Sequence, residues 1–247
     1  MNVQAIQTEL ITKEGSIYEV INNSIKNIKN NSIIAISAKL VSTLEGSIVD
    51  NNLDKDKLII KQSQKYLPRN NSKYHTMHTI TKGTLMLAAG IDESNANKKL
   101  ILWPKDPLNT AISIRSHIIN TYQVRNIGVL IVDSTSKPMR IGTIGTCIAS
   151  CGFDEIIDYR GTKDLFGRTI EISQQNTAEC IASMAVLAMG EGAQRTPMCL
   201  IHNPLNTRFN DTAQTSCYNY STDNYLNDVY EPFFKSVTWH YGGDAGL

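Results

Sequence analysis

Apolar residues at 17, 20, 21, 25 and 28 recur at helical spacing, and Asn30–Asn31 supply a stop, so a helix is predicted over 17–28. "SIIAIS" (32–37) is a short apolar run, the mark of a buried strand, and "KLVSTLEGSIVD" continues it through a turn at Glu45–Gly46. Strands are expected at about 84–89 and 99–103. In "DPLNTAISIRSHIINTYQ", Asp106 and Pro107 stand where an N-cap and a first-turn proline belong, and Ala111, Ile114, Ile118 and Tyr122 share one face. "NIGVLIVDS" is too apolar for a half-exposed strand and is expected at the centre of a sheet. Over 174–189, Ala178, Ile181, Ala182, Ala185, Val186 and Met189 again follow helical spacing up to Gly190. "MGEGAQRTPMCLIHN" then turns into another strand. The mixture predicts a mixed α/β (α+β) fold.

Composition changes this picture little. With 247 residues, 41% hydrophobic and 19% charged, the chain has a globular balance and enough length for a sizeable core. A formal net charge of +1 argues against nucleic acid or a membrane surface as partner. No apolar run approaches the roughly 20 residues of a membrane helix, and the start lacks a secretory pattern, so a cytoplasmic protein is expected. Cys147, Cys151, Cys180, Cys199 and Cys217 form no CxxC pair and read as reduced structural thiols. His75 and His78 have no partner cluster and read as a loop pair rather than a metal site. From Lys55 to Lys82 the chain is basic, which reads as a solvated face.

The candidate chemistry lies in two aspartates that follow apolar runs. Asp92 ends "LMLAAGID" and Asp133 ends "NIGVLIVD". Such a carboxylate either caps a turn or, aimed by a sheet, holds a divalent cation. Asp92, Asp133, the Ser134 hydroxyl and Glu191 are hard oxygen donors suited to Mg2+ or Mn2+, which commonly bridge to nucleotide phosphates. "MGEGAQRTP" can offer backbone N–H groups to phosphate or can simply end a helix; it is not a Walker loop.

Five motifs in order, "AISAKLVSTLEGSIVD", "AAGIDESNANKKLILWPKDP", "IGVLIVDSTSKPMRIGTIGTCIASCGF", "DYRGTKDLFGR" and "AMGEGAQRTP", resemble the coenzyme F420-0:L-glutamate ligase family of gamma-glutamyl ligases over about residues 5–202. "KYLP", "LWPKDP", "GEGxxxTP" and "FFKSVTW" look most like its bacterial folate-metabolism gamma-glutamate ligases. The resemblance implies a homodimer of two interlocked lobes, built as a single unit over 1–247 with 203–247 as a polar extension packed on the core. It implies GTP (or ATP) as co-substrate, two Mg2+ or Mn2+ ions, L-glutamate and a carboxylate-bearing small molecule as acceptor.

By that resemblance Asp92, Asp133 and Glu191 are catalytic; Asp92 and Asp133 bind a first metal, and Ser134 and Glu191 a second. Ala38, Lys39, Asn95, Met189, Gly190, Gly192, Gln194 and Thr196 contact nucleotide, as does the segment Glu9 to Thr12. Lys137, Arg140 and Arg168 are candidates for balancing phosphate or substrate charge, with Arg160 and Lys163 nearby.

One departure stands out. Where many relatives read "SKAEG", this chain reads "STLEG", so Thr43 replaces a phosphate-contacting lysine, and either Lys39 compensates or nucleotide affinity and identity differ. Thr43 also leaves open a non-catalytic member that binds nucleotide and metal. Gln194–Arg195 stand where deazaflavin-cofactor ligases often have Asp–Gly.

Overall fold

The computed structural model describes residues 1–69, 73–211 and 228–243. In chain order its elements begin with β1 (Asn2–Ile6), α1 (Ile17–Ser24), β2 (Ser32–Ser37), α2 (Ala38–Leu44), β3 (Ile48–Asp50), α3 (Lys55–Gln62), β4 (Lys65–Leu67), β5 (His78–Thr81) and β6 (Thr84–Leu87). There follow β7 (Lys99–Ile101), α4 (Pro107–Tyr122), β8 (Ile127–Ser136), β9 (Thr143–Cys151), β10 (Ile156–Asp158), β11 (Gln174–Asn176), α5 (Thr177–Met189), β12 (Met198–His202), α6 (Glu231–Lys235) and β13 (His240–Tyr241). The fold is mixed α/β, as the sequence predicts.

The main sheet runs β1-β12-β2-β8-β9, antiparallel except for the β2–β8 pair. Both of its faces are covered, which is why β2 and β8 are apolar on successive residues. Ile34, Ile36, Ile127, Val129 and Ile131 pack toward α1, α2 and α4, with Ile114 and Ile118 of α4 fully buried against them. Ile33, Ala35, Leu130 and Val132 face α5. The small residues of α5 let it lie close: a Cβ at Gly145 of β9 would come within 2.7 Å of the Ala182 carbonyl carbon.

A smaller sheet runs β13-β4-β5-β6, beside the β3–β7 ribbon and α3, around Ile59, Met77, Ala89, Ile91 and Leu100. The C-terminal residues thus add an edge strand to this sheet, with His240 opposite Tyr66.

The caps follow sequence chemistry. Asp106 accepts from Asn109 N at 3.0 Å, Asn176 from Glu179 N at 2.9 Å, and Gly190 ends α5 with φ 77°. Three expectations change. The first helix stops at Ser24; Ile25 and Ile28 keep the apolar spacing and stay buried, but in irregular chain leading to β2. The basic stretch is not all solvated: Lys65 is buried, Lys55 pairs with Glu93, and the Lys82 ammonium donates to the Lys105 carbonyl at 2.7 Å, its pKa lowered by burial. Neither aspartate ends a strand, since Asp133 lies inside β8 and Asp92 lies beyond β6 as an isolated bridge to Ile101.

Candidate active site

A cavity of about 640 Å³ opens where β8, the start of α2, the Ile91–Asn95 segment and the turn after α5 converge. Asp133 lines it because of strand parity. Ile127, Val129 and Ile131 point to the α4 side of the sheet, and two residues further the same row presents a carboxylate. Asp133 is half-buried and the surface it keeps faces the cavity. Its Oδ2 accepts from Trp103 Nε1 at 2.5 Å and its Oδ1 from Ser134 N at 2.8 Å. Burial among protein atoms pushes its pKa up to about 6, the two hydrogen bonds oppose that, and the neighbouring Asp92 charge adds to it.

Asp92 is held differently. Its backbone exchanges two 2.9 Å bonds with Ile101, while Ser94 N donates to its Oδ1 at 2.6 Å. The Lys39 ammonium sits on its Oδ2 and also donates to the Ser94 carbonyl at 2.9 Å and Ser94 Oγ at 2.8 Å. Burial pushes Asp92 up too, but Lys39 and the Ser94 N–H outweigh it, and the pKa ends below the ordinary carboxylate value. The sequence reading missed Ser94 and Trp103. The only trace of Trp103 was its place in "LWPKDP", where nothing in the spacing tells of an aspartate thirty residues on. Trp103 in turn needs Gly90: at φ 72° the glycine lies against the indole, and a Cβ there would come within 2.6 Å of Trp103 Cε2.

The turn after α5 forms the opposite wall. Thr196 Oγ1 donates to the Met189 carbonyl at 2.5 Å, and Asn95 Nδ2 reaches the Gly192 carbonyl at 3.4 Å. Gln194 folds back over both glycines, its Oε1 accepting from Gly192 N at 2.8 Å. The glycine-rich turn is therefore a helix C-cap closed by a glutamine, and the Gly192 N–H is already engaged. Thr8 N donates to the Arg195 carbonyl at 2.9 Å, which brings the segment containing Glu9 to the rim.

Of the residues singled out in the sequence, Lys39, Asp92, Asn95, Asp133, Ser134, Met189, Gly190, Glu191, Gly192, Gln194 and Thr196 line this cavity. Ala38 does not, since its side chain is in the core. Lys137 reaches toward Glu179 at 3.9 Å, Arg140 Nη1 bonds the Met139 carbonyl, and Arg168 lies in the exposed loop between β10 and β11, all away from the cavity lining. Arg160 pairs with Asp158, and Lys163 donates to Thr169 Oγ1. Thr43 is buried on the cavity side and donates to the Lys39 carbonyl at 2.8 Å. Cys147, Cys151 and Cys199 are buried and Cys180 is exposed; Cys217 lies outside the described residues.

Among the described residues, no three His, Cys, Asp or Glu side chains converge into a closed chelate. The donors that do meet suit Mg2+ or Mn2+, which are usually held by one or two carboxylates, with water and substrate phosphates completing the shell. Each carboxylate oxygen of Asp133 spends one lone pair on a protein donor and keeps one for another partner.

A profile of the F420-0:Gamma-glutamyl ligase family matches residues 5–203, about four-fifths of the chain. The chain belongs to this family. Relatives include the coenzyme F420:L-glutamate ligase of Methanocaldococcus jannaschii, 31% identical over 194 residues, covering 70% of this chain and 76% of that protein. The enzyme of the same name from Methanococcus maripaludis strain C7 is 35% identical over 121 residues, covering 49% of this chain and 48% of its own length. That of Methanopyrus kandleri is 36% identical over 121 residues, 48% of each. The match thus spans three-quarters of the first of these proteins and about half of the other two. Among the described residues no helix is long and apolar enough to cross a membrane.

Proposed function

We propose that this chain is a nucleotide- and divalent-metal-dependent ligase that joins L-glutamate to a carboxylate-bearing acceptor through an acyl phosphate. The observation that carries the reading is the pairing of Asp92 and Asp133 in one cavity of nucleotide size, with Lys39 seated on Asp92, in a chain of this family. GTP or ATP is the expected phosphoryl donor. A folate-like pterin or a deazaflavin is the expected acceptor, the pterin favoured by the motifs "KYLP", "LWPKDP", "GEGxxxTP" and "FFKSVTW" alone.

In the proposed reaction an acceptor carboxylate oxygen attacks the γ-phosphorus and the nucleoside diphosphate leaves. The glutamate amine then attacks the acyl carbon, and inorganic phosphate departs with the amine proton. A bound Mg2+ or Mn2+ supplies charge neutralisation at the phosphates. The chain's own work is alignment. Asp133, clamped by Trp103 and Ser134, and Asp92, clamped by Ser94, would hold the first ion, and Ser134 Oγ and Glu191 would hold the second. Asn95 and the 189–196 turn seat the nucleotide. We also infer a homodimer, which light scattering during gel filtration will test.

The test is mass spectrometry of acceptor incubated with protein, GTP or ATP, Mn2+ and L-glutamate, alongside a phosphate-release assay. A glutamyl increment that disappears in Asp133→Ala supports the ligase and names its acceptor. Binding of nucleotide and metal without an increment on any carboxylate acceptor would instead support a non-catalytic member, the reading that Thr43 suggests.

A further inference from the structure

Among the described residues, Lys39 and Arg195 are the cationic side chains that line the cavity, and only Lys39 is seated on a candidate metal ligand. An ammonium has three protons to donate. Those of Lys39 find Asp92 Oδ2, the Ser94 carbonyl and Ser94 Oγ, so the cation is fully satisfied where it stands. It supplies the positive charge that the facing Asp92 and Asp133 carboxylates lack on their own.

We propose that Lys39 is a displaceable counter-ion: its ammonium holds Asp92 until a divalent ion arrives, and then moves to the nucleotide's phosphates. This rests on the metal reading above and adds a consequence to it. A cation cannot take Asp92 while the ammonium stays on it, because like charges would crowd one carboxylate. The ammonium, once expelled, needs an anion within reach of its flexible four-carbon stem, and a triphosphate in the same cavity provides one. Metal therefore favours nucleotide and nucleotide favours metal, by the same factor.

The backbone is built for such a swing. Lys39 lies in the first turn of α2, and its carbonyl is fixed by Thr43 Oγ1 one turn on, so the stem moves while its anchor does not. Asp92 keeps its aim after release, because Ser94 N still holds Oδ1 and Ile101 still holds the backbone.

The experiment titrates Mn2+ into wild type, Lys39→Met and Ser94→Ala at pH 7.5, reading free Mn2+ by electron paramagnetic resonance. Binding of the β,γ-imido analogue of GTP is measured in parallel at saturating Mn2+. Lys39→Met is expected to bind Mn2+ alone about fivefold more tightly or better, and the analogue more weakly by a similar factor. Ser94→Ala, which removes one of the three acceptors, is expected to tighten Mn2+ by about twofold and covers the case in which Lys39→Met does not fold. Equal or weaker Mn2+ affinity in the variants, with wild-type binding intact, overturns the counter-ion role alone and makes Lys39 a fixed strut. No Mn2+ binding by any form, with or without the analogue, overturns the metal reading and this proposal together.

Discussion

Asp133 and Asp92 line the same cavity yet stand on opposite kinds of backbone. Asp133 is one rung of a ladder: Val132, Asp133 and Ser134 pair with Cys147, Thr146 and Gly145, and packed layers cover both faces of the sheet upstream. Asp92 hangs in a segment where Ala88, Ala89, Gly90, Asn95, Asn97 and Lys98 all have positive φ, between 47° and 72°. For the non-glycine residues such geometry costs roughly 1–2 kcal/mol each, less for asparagine, and persists only because neighbours hold it. The electrostatics diverge in step. The rigid carboxylate is pushed toward its neutral form by its surroundings, and the loop carboxylate is kept charged by a lysine. One carboxylate is fixed in place by its strand; the other has a resident cation and a backbone that tolerates adjustment.

The sharpest way to break this comparison is to remove each carboxylate. Asp133→Ala is expected to lower glutamyl transfer at least about 10³-fold with the fold kept, measured by phosphate release and circular dichroism. Asp92→Ala should give a comparable loss, and in addition a lower melting temperature than Asp133→Ala, because Lys39 then loses its anion.

Next is the dependence of stability on pH in the metal-free protein. The folded-state pKa of Asp133, about 6, lies above its ordinary 3.8. Its stabilising contribution is therefore complete below about pH 4 and is lost as pH rises through 6, a change of up to about 3 kcal/mol. Asp92, with a lowered pKa, has the opposite sign: it stabilises above its unfolded value and loses that contribution only in stronger acid. Urea unfolding in EDTA from pH 4 to 7.5 should therefore give a falling difference between wild type and Asp133→Asn. A flat difference would mean that Asp133 is not desolvated by its setting.

A smaller effect is expected at the indole. Trp103→Phe keeps most of the packing but deletes the donor to Asp133 Oδ2, and Mn2+ affinity should fall about tenfold, as for other groups that orient a ligand. The smallest effect concerns the wall. Gln194→Ala frees the Gly192 N–H and the space over Gly190, and should change nucleotide affinity by about threefold, read by calorimetry, while leaving Mn2+ binding unchanged.

Much of the scaffold was legible in the sequence because its signals are local. The apolar runs gave β2 and β8, Asp106–Pro107 gave the start of α4, and Ala178 to Gly190 gave α5 with its stop. Ile25 and Ile28 misled because a helical period of buried residues can continue through irregular chain when a sheet lies beneath it. The site was legible only in part. The aspartates and the glycine-rich turn stood out as motifs, but their meeting in one cavity is a long-range fact that no spacing encodes. Lys39 was named as a nucleotide contact, whereas its seat on Asp92 depends on a residue 53 positions away. Trp103 drew no reading of its own because its partner is invisible from the chain.

The register of β8 carries a further lesson. β9 slips by one residue opposite Ile131 and Val132, so Ile148 has no partner across the ladder, and Asp133 comes immediately after that irregularity. Which side of the sheet the carboxylate occupies is an odd-or-even question counted from Ile127. A single inserted codon between Ile127 and Asp133 would turn the aspartate under α5 and leave Val132 at the cavity, whereas an insertion of several codons at 137–142 would merely lengthen a hairpin tip. The reading frame of the strand, more than its length or composition, is what this site inherits.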